Sequence, residues 1–139
     1  MYADLFRALG RFLDQQQARH IELNYQGNAL LVSWQDHRAH QHRQTYRALD
    51  FERLRAEART ERQVAGQLPP LSTAEMLRAL GTECDRTGME VSKITETDTG
   101  FTVAGLLGGR FTRRVYEASE ILRLVALHQA RRRPPDAQP

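Results

Sequence analysis

Leu5, Phe6, Leu9, Phe12 and Leu13 recur along "ADLFRALGRFLD" (3–14) at the spacing of one buried helical stripe, and Met76, Leu77, Leu80 and Cys84 repeat it along "AEMLRALGTECD" (74–85). After each stripe the period changes from helical to alternating. Short apolar alternations predict strands at roughly 20–25, 29–35 and 40–47, then at roughly 89–97, 101–107 and 110–117. "QGN" (26–28) and "DTG" (98–100) supply the first hairpin turn of each set, and Gly108-Gly109 the second turn of the later one. A closing helix is expected to begin near Asp50 in the first set and near Ser119 in the second, both good N-cap residues.

The two sets align. At an offset of 71, Ala3, Arg7 to Gly10 and Asp14 meet identical residues, and "ALLVSW" (29–34) meets "GFTVAG" (100–105). After a slip of one residue, "RQTYRALDFERLRAEA" (43–58) meets "RRVYEASEILRLVALH" (113–128) and matches Arg43, Tyr46, Ala48, Arg53, Leu54 and Ala56. Three colinear matches in one order read as a tandem internal duplication of an α-β-β-β-α unit. A three-stranded meander with two helices has little core of its own. The expected fold is therefore α+β: the repeats share one core about a pseudo-twofold axis, in an antiparallel sheet of about six strands with four helices mainly on one face.

The boundaries follow from the punctuation. Residues 1–66 form the first repeat and 67–133 the second, with a linker around 62–71. Pro69-Pro70 breaks the chain; Ser72 and Glu75 then stand at capping-box spacing, while Leu71 and Met76 sit where a hydrophobic staple would place them. The last residues, "PPDAQP" (134–139), read as a disordered tail.

Composition narrows the class without naming a function. The chain of 139 residues, 40% apolar and 27% charged, has no apolar run long enough to cross a bilayer, and Asp4 stands where a signal peptide needs a basic flank, so a cytoplasmic protein is expected. The single cysteine excludes an internal disulfide, and Cys84 aligns with Leu13 on the buried stripe, which reads as a structural thiol. The net charge of +3 is spread thinly: residues 1–66 contribute +2 and residues 67–139 +1, of which Arg131, Arg132 and Arg133 supply more than the whole. Those three arginines fall at a helix C-terminus, where cations offset the dipole. Nucleic-acid binding must therefore rest on a local stripe of charge.

"QDHRAHQHRQTY" (35–46) is the first candidate stripe. His37, His40 and His42 lie within six positions, with Asp36 and His20 as further donors, and His40 and His42 share a strand face as a metal site could require. Against this, the second repeat places Arg110 opposite His40 and Thr112 opposite His42, so the alignment offers the metal no support. What the repeats share is positive charge. Arg43 matches Arg113, and His40 in the first repeat and Arg110 and Arg114 in the second extend it, with Tyr46 and Tyr116 at the strand ends for stacking on an anionic partner. The same arginines also suit edge strands, where charge blocks aggregation.

The closing helices differ. "DFERLRAEARTER" is apolar on one side, whereas "ILRLVAL" (121–127) is apolar around most of its circumference, which puts Ile121, Leu122, Val125 and Leu127 forward as a contact surface for a second copy or another protein, or else as the monomer's own centre. No phosphate loop, nucleophile elbow or zinc-protease helix is present. The reading that follows is a non-enzymatic binding or adaptor module without a cofactor, acting through protein contacts as a homodimer or complex subunit. Nucleic-acid or anionic-ligand binding along 40–47 and 110–117 is the alternative, and a metal-dependent enzyme using the three histidines a further one.

Overall fold

The structure, a computed structural model, describes residues 2–65 and 72–131. Pro69-Pro70, the staple residue Leu71 and the tail at 134–139 lie outside the described residues. The chain runs α1 (Tyr2–Gln15), β1 (Arg19–Gln26), β2 (Ala29–Gln35), β3 (Gln41–Tyr46), α2 (Ala48–Ala65), α3 (Thr73–Thr87), β4 (Glu90–Glu96), β5 (Gly100–Leu107), β6 (Arg110–Glu117) and α4 (Ala118–Arg131). The six strands form one antiparallel sheet in the order β3-β2-β1-β4-β5-β6. Its centre is the β1–β4 pairing, with Leu23 opposite Ile94. The fold is thus α+β, with a six-stranded antiparallel sheet and helices on one face. No helix among the described residues is long and apolar enough to cross a membrane.

Alternation decides which face the helices take. Ile21 and Leu23 on β1, Leu30, Val32 and Trp34 on β2, Ile94 on β4, and Phe101 and Val103 on β5 are buried in one core with Leu5, Phe6, Leu9 and Leu13 of α1 and with Leu77 and Leu80 of α3. The residues between them point to the uncovered face. Across the helix layer α1 and α3 pack against each other, α2 flanks α1 and α4 flanks α3. Arg7 is buried within this layer, and its Nη1 donates to the Ala58 carbonyl of α2 at 3.4 Å.

α1 and α3 complete each other's ends. The Asp14 carboxylate, near the end of α1, accepts from the Thr73 and Ala74 amides at 2.9 and 3.1 Å, and Asp85, near the end of α3, accepts from the Tyr2 and Ala3 amides at 2.8 and 3.1 Å. The first amides of a helix have no partner within it, so each carboxylate fills a need of the other helix. The helices can approach this closely because Gly10 faces Ala74 and Gly81 faces Ala3. Ser72 caps α3, accepting from the Glu75 amide at 3.2 Å, as the capping-box spacing predicts.

α2 starts two residues before Asp50, and α4 one residue before Ser119. Asp50 and Ser119 lie inside the first turn rather than at its entrance. Asp50 accepts from the Arg47 amide at 2.9 Å and Glu120 from the Glu117 amide at 3.2 Å, so in both helices an acid in the first turn reaches back to the residue that enters it.

α4 buries much of its apolar surface in the chain's own core. Ile121 and Val125 are 0% and 1% exposed and belong to the central cluster, so neither is available as a contact surface. Leu122 is half-buried, and only Leu127 of the four expected interface residues is exposed. His128 extends the inward stripe and sits 3.6 Å from the Glu83 carboxylate. Cys84 is buried as its alignment with Leu13 requires, and burial pushes its thiol up to about 12. Ellman's reagent is therefore expected to titrate no thiol in native protein at neutral pH and one after denaturation. Fast reaction in the folded state would contradict this placement.

Candidate binding surface

The two arginine-bearing strands do not lie together. β3 and β6 are the opposite edges of the sheet. Five strand spacings of about 4.8 Å set them roughly 24 Å apart, too far for both to grip one small anion. The register also divides their residues between faces. On β6, Arg113 lies opposite Ala104 and points to the uncovered face, whereas Arg114 lies opposite the buried Val103 and points to the helix side. Arg43, opposite Ser33, shares the uncovered face with Arg113. Arg110 stands beside the turn and is exposed.

The two tyrosines differ: Tyr46 is buried in packing, whereas Tyr116 keeps part of its surface at a cleft. Tyr46 is 4% exposed, and burial raises its hydroxyl above the ordinary value. Tyr116 lies opposite Phe101, on the helix side, and packs partly against the core.

The histidine segment is a loop organised by Asp36. Its carboxylate accepts from the Arg38 and His40 amides at 2.8 and 3.0 Å and lies 2.8 Å from His42 Nε2 and 3.8 Å from His40 Nδ1. Ala39 takes a positive φ of 61° to close the turn. The His42 ring stacks on Trp34 at 5.4 Å, and Trp34 meets Phe12 edge-on at the same separation. His37 is exposed. His40 and His42 thus converge on one carboxylate as a loop latch. Among the described residues no group of three or more His, Cys, Asp or Glu side chains is arranged to hold a metal ion.

The His42 hydrogen bond, followed by the two backbone amides, holds the Asp36 carboxyl well below the usual carboxylate range. A depressed folded-state value stabilises the loop above the ordinary carboxylate pKa of about 4, and that contribution is lost as pH falls through the folded-state value. Asp36→Asn is accordingly expected to speed amide exchange at Arg38 and His40 at neutral pH while leaving α1 and α3 unchanged. Unchanged exchange at those two amides would remove Asp36 as the organiser of the loop.

The feature that sequence reasoning did not single out lies on the uncovered face of β5 and β6. Phe111 is 70% exposed, Val115 55% and Leu106 43%, with Phe111 and Leu106 directly opposite each other. The corresponding positions in the first half are Gln41, Thr45 and Gln35. One corner of the sheet is therefore apolar where its counterpart is polar. The signal was present in "RFTRRVYE", whose apolar residues fall on both faces, but only the register shows that Phe111 and Val115 face away from the core.

Two flanking regions extend this corner. On the helix side, a cleft of about 360 Å³ between β6 and α4 is lined by Arg114, Tyr116, Arg123, Leu124 and Leu127 and by the carboxylates of Glu83 and Glu120. On the uncovered face, a shallow depression of about 390 Å³ is lined by Lys93, Thr95, Thr102, Ala104 and Arg113. Lys93 is paired there with Glu22 at 3.0 Å. Comparison with known proteins brings out no match to this chain, whether by family, by curated sequence or by solved structure.

Proposed function

We propose that the protein is a non-enzymatic binding module acting through protein contacts, with its contact surface at the outer corner of the second half. The observation that carries this reading is the exposure of Phe111, Leu106 and Val115 on the uncovered sheet face, where Leu31 of β2 is by comparison half-buried. Removing large apolar side chains from water is the main driving force of association, and an exposed aromatic beside arginine has the composition of an interaction hot spot. The first half lacks this cluster at equivalent positions, so the fold itself does not require it.

The test is native purification of the tagged chain from its own cells, with the co-eluting mass measured by light scattering. Wild type is expected to elute with a stoichiometric partner or a second copy, and Phe111→Asp with Val115→Asp to elute alone with an unchanged circular dichroism spectrum. A wild-type monomer eluting alone at high concentration would overturn the reading. Loss of the complex with Leu127→Glu but not with the β6 changes would move the surface to α4.

A second reading rests on Arg43 and Arg113 sharing the uncovered face. It takes the sheet as a platform for an extended nucleic acid and requires salt-dependent binding lost with both arginines, because phosphate contacts release counterions. No binding of single-stranded DNA or RNA at low salt would dismiss it.

A further inference from the structure

The backbone of β6 defines what the corner can hold. β6 is an edge strand, and its alternation of inward and outward groups is fixed at both ends. At one end the two-residue turn Gly108-Gly109, with φ of 61° and 79°, closes the hairpin at Leu107 and Arg110, so the Arg110 amide and carbonyl face β5. At the other end the Ala118 amide donates to the Thr99 carbonyl at 2.7 Å. Between these, Thr112, Arg114 and Tyr116 turn their backbone groups toward β5, and Phe111, Arg113, Val115 and Glu117 turn theirs outward. The Glu117 amide is already bonded to Glu120, so the outward positions left for a partner are Phe111, Arg113 and Val115, the residues that form the apolar corner and carry its arginine.

From this geometry we infer that the β6 edge receives an extended acidic segment of a partner protein as an added antiparallel strand. The inference rests on the protein-binding reading above and specifies its partner and mode. A strand laid against β6 places the side chains opposite Phe111, Arg113 and Val115 on the uncovered face, where apolar, acidic and apolar residues complement them. The intervening side chains point to the helix side. There the one opposite Arg114 meets a cleft lined by Arg114, Arg123 and Leu127 but also by Glu83 and Glu120, so the preference for an acidic strand rests on the arginines of β6 itself and not on the cleft.

Charge selects the occupant. β6 carries Arg110, Arg113 and Arg114 within five positions, so an added strand of like charge is repelled and an acidic one attracted. A second copy is the poorer fit. The two fullest antiparallel registers of β6 with itself that keep both helix layers on one side set Arg113 opposite Arg113 or Arg114 opposite Arg114, and like charges directly opposite are destabilising. The first half offers a control: β3 has Gln41, Thr45 and Gln44 at the positions of Phe111, Val115 and Arg114, and so lacks the pattern.

The experiment uses the full chain, isotopically labelled, and a fluorescein-tagged peptide of about ten residues with Val-Glu-Glu-Thr-Val at its centre. Saturating peptide is expected to slow amide exchange at Phe111, Arg113 and Val115 by about tenfold or more, because these amides gain hydrogen-bond partners, while β3 is unchanged. Anisotropy should show the Arg113→Glu, Arg114→Glu double variant binding about tenfold more weakly, with a Val-Lys-Lys-Thr-Val peptide preferring that variant over wild type. The charge swap keeps the test decisive if either change perturbs the strand.

Absence of protection at those three amides would overturn the inference, as would equal binding of the acidic and basic peptides by wild type. Concentration-dependent protection of the same amides without peptide would also overturn it, assigning the edge to a second copy. If the peptide fails while the native complex still depends on Phe111 and Val115, the protein-binding reading stands and strand addition falls. If both fail, both fall.

Discussion

Gly10→Ala is expected to destabilise the fold by about 2 to 3 kcal/mol, the reverse of its effect on an isolated helix. There, alanine in place of an interior glycine gains about 1 kcal/mol. Here a β-carbon at Gly10 would stand 2.5 Å from the Ala74 α-carbon and 2.7 Å from the Thr73 carbonyl oxygen. Comfortable non-bonded contact between carbons needs about 3.5 to 4.0 Å, and every atom in the way belongs to the backbone. No rotamer change relieves the clash. α1 and α3 must separate, and separation draws the Asp14 carboxylate away from the amides it caps. Gly81→Ala meets Ala3 at 2.9 Å and should cost less. Denaturant midpoints by circular dichroism would order the two variants, and a Gly10→Ala protein as stable as wild type would show that the helices do not touch at this point.

The next largest effect belongs to the exchanged caps. Asp14→Ala leaves the Thr73 and Ala74 amides without their acceptor, and Asp85→Ala does the same to Tyr2 and Ala3. Loss of a side-chain cap costs about 1 to 2 kcal/mol, so the double variant should lose about 3 kcal/mol, the sum of the two, since the caps sit at opposite ends of the helix pair. Asn at either position keeps one acceptor oxygen and should restore part of the loss. The reading fails if Asp14→Ala unfolds at the wild-type denaturant concentration. A double variant far less stable than the sum would instead reveal coupling between the two ends through the glycine contacts.

Much of this architecture was legible because it depends on periodicity. The stripes of α1 and α3, the six strands and the antiparallel hairpins follow from local apolar spacing and turn residues. Helix starts were misplaced for a local reason too: Asp50 and Ser119 are good caps by type, but an acid in the first turn reaching back to Arg47 or Glu117 serves the same need earlier in the chain. Long-range facts were not legible. Asp14 and Asp85 matched in the alignment, yet their partners lie dozens of residues away, and nothing local distinguishes a cap from a solvated carboxylate.

The candidate surface was legible only in part. The apolar wrap of α4 was visible, but sequence could not divide it between a core stripe of Ile121 and Val125 and the exposed Leu127. The arginines of β3 and β6 were visible, but not that the strand order sends them to opposite edges. Phe111 was overlooked because an aromatic in a strand is read as core unless the register is known. "QDHRAHQHRQTY" gathered attention through residue type, and its histidines converge on Asp36 to close a loop.

The exchange of caps between α1 and α3 bears on how the molecule comes apart. Neither half can leave the other and keep its first helix intact at the amino end, because the acceptor for those amides travels with the departing half. Peeling the halves apart at the β1–β4 seam therefore frays both helices at once, so partial opening gains little chain freedom for the contacts it gives up. Loss of structure should be all-or-none, with far-ultraviolet ellipticity and Trp34 fluorescence following a single curve against denaturant.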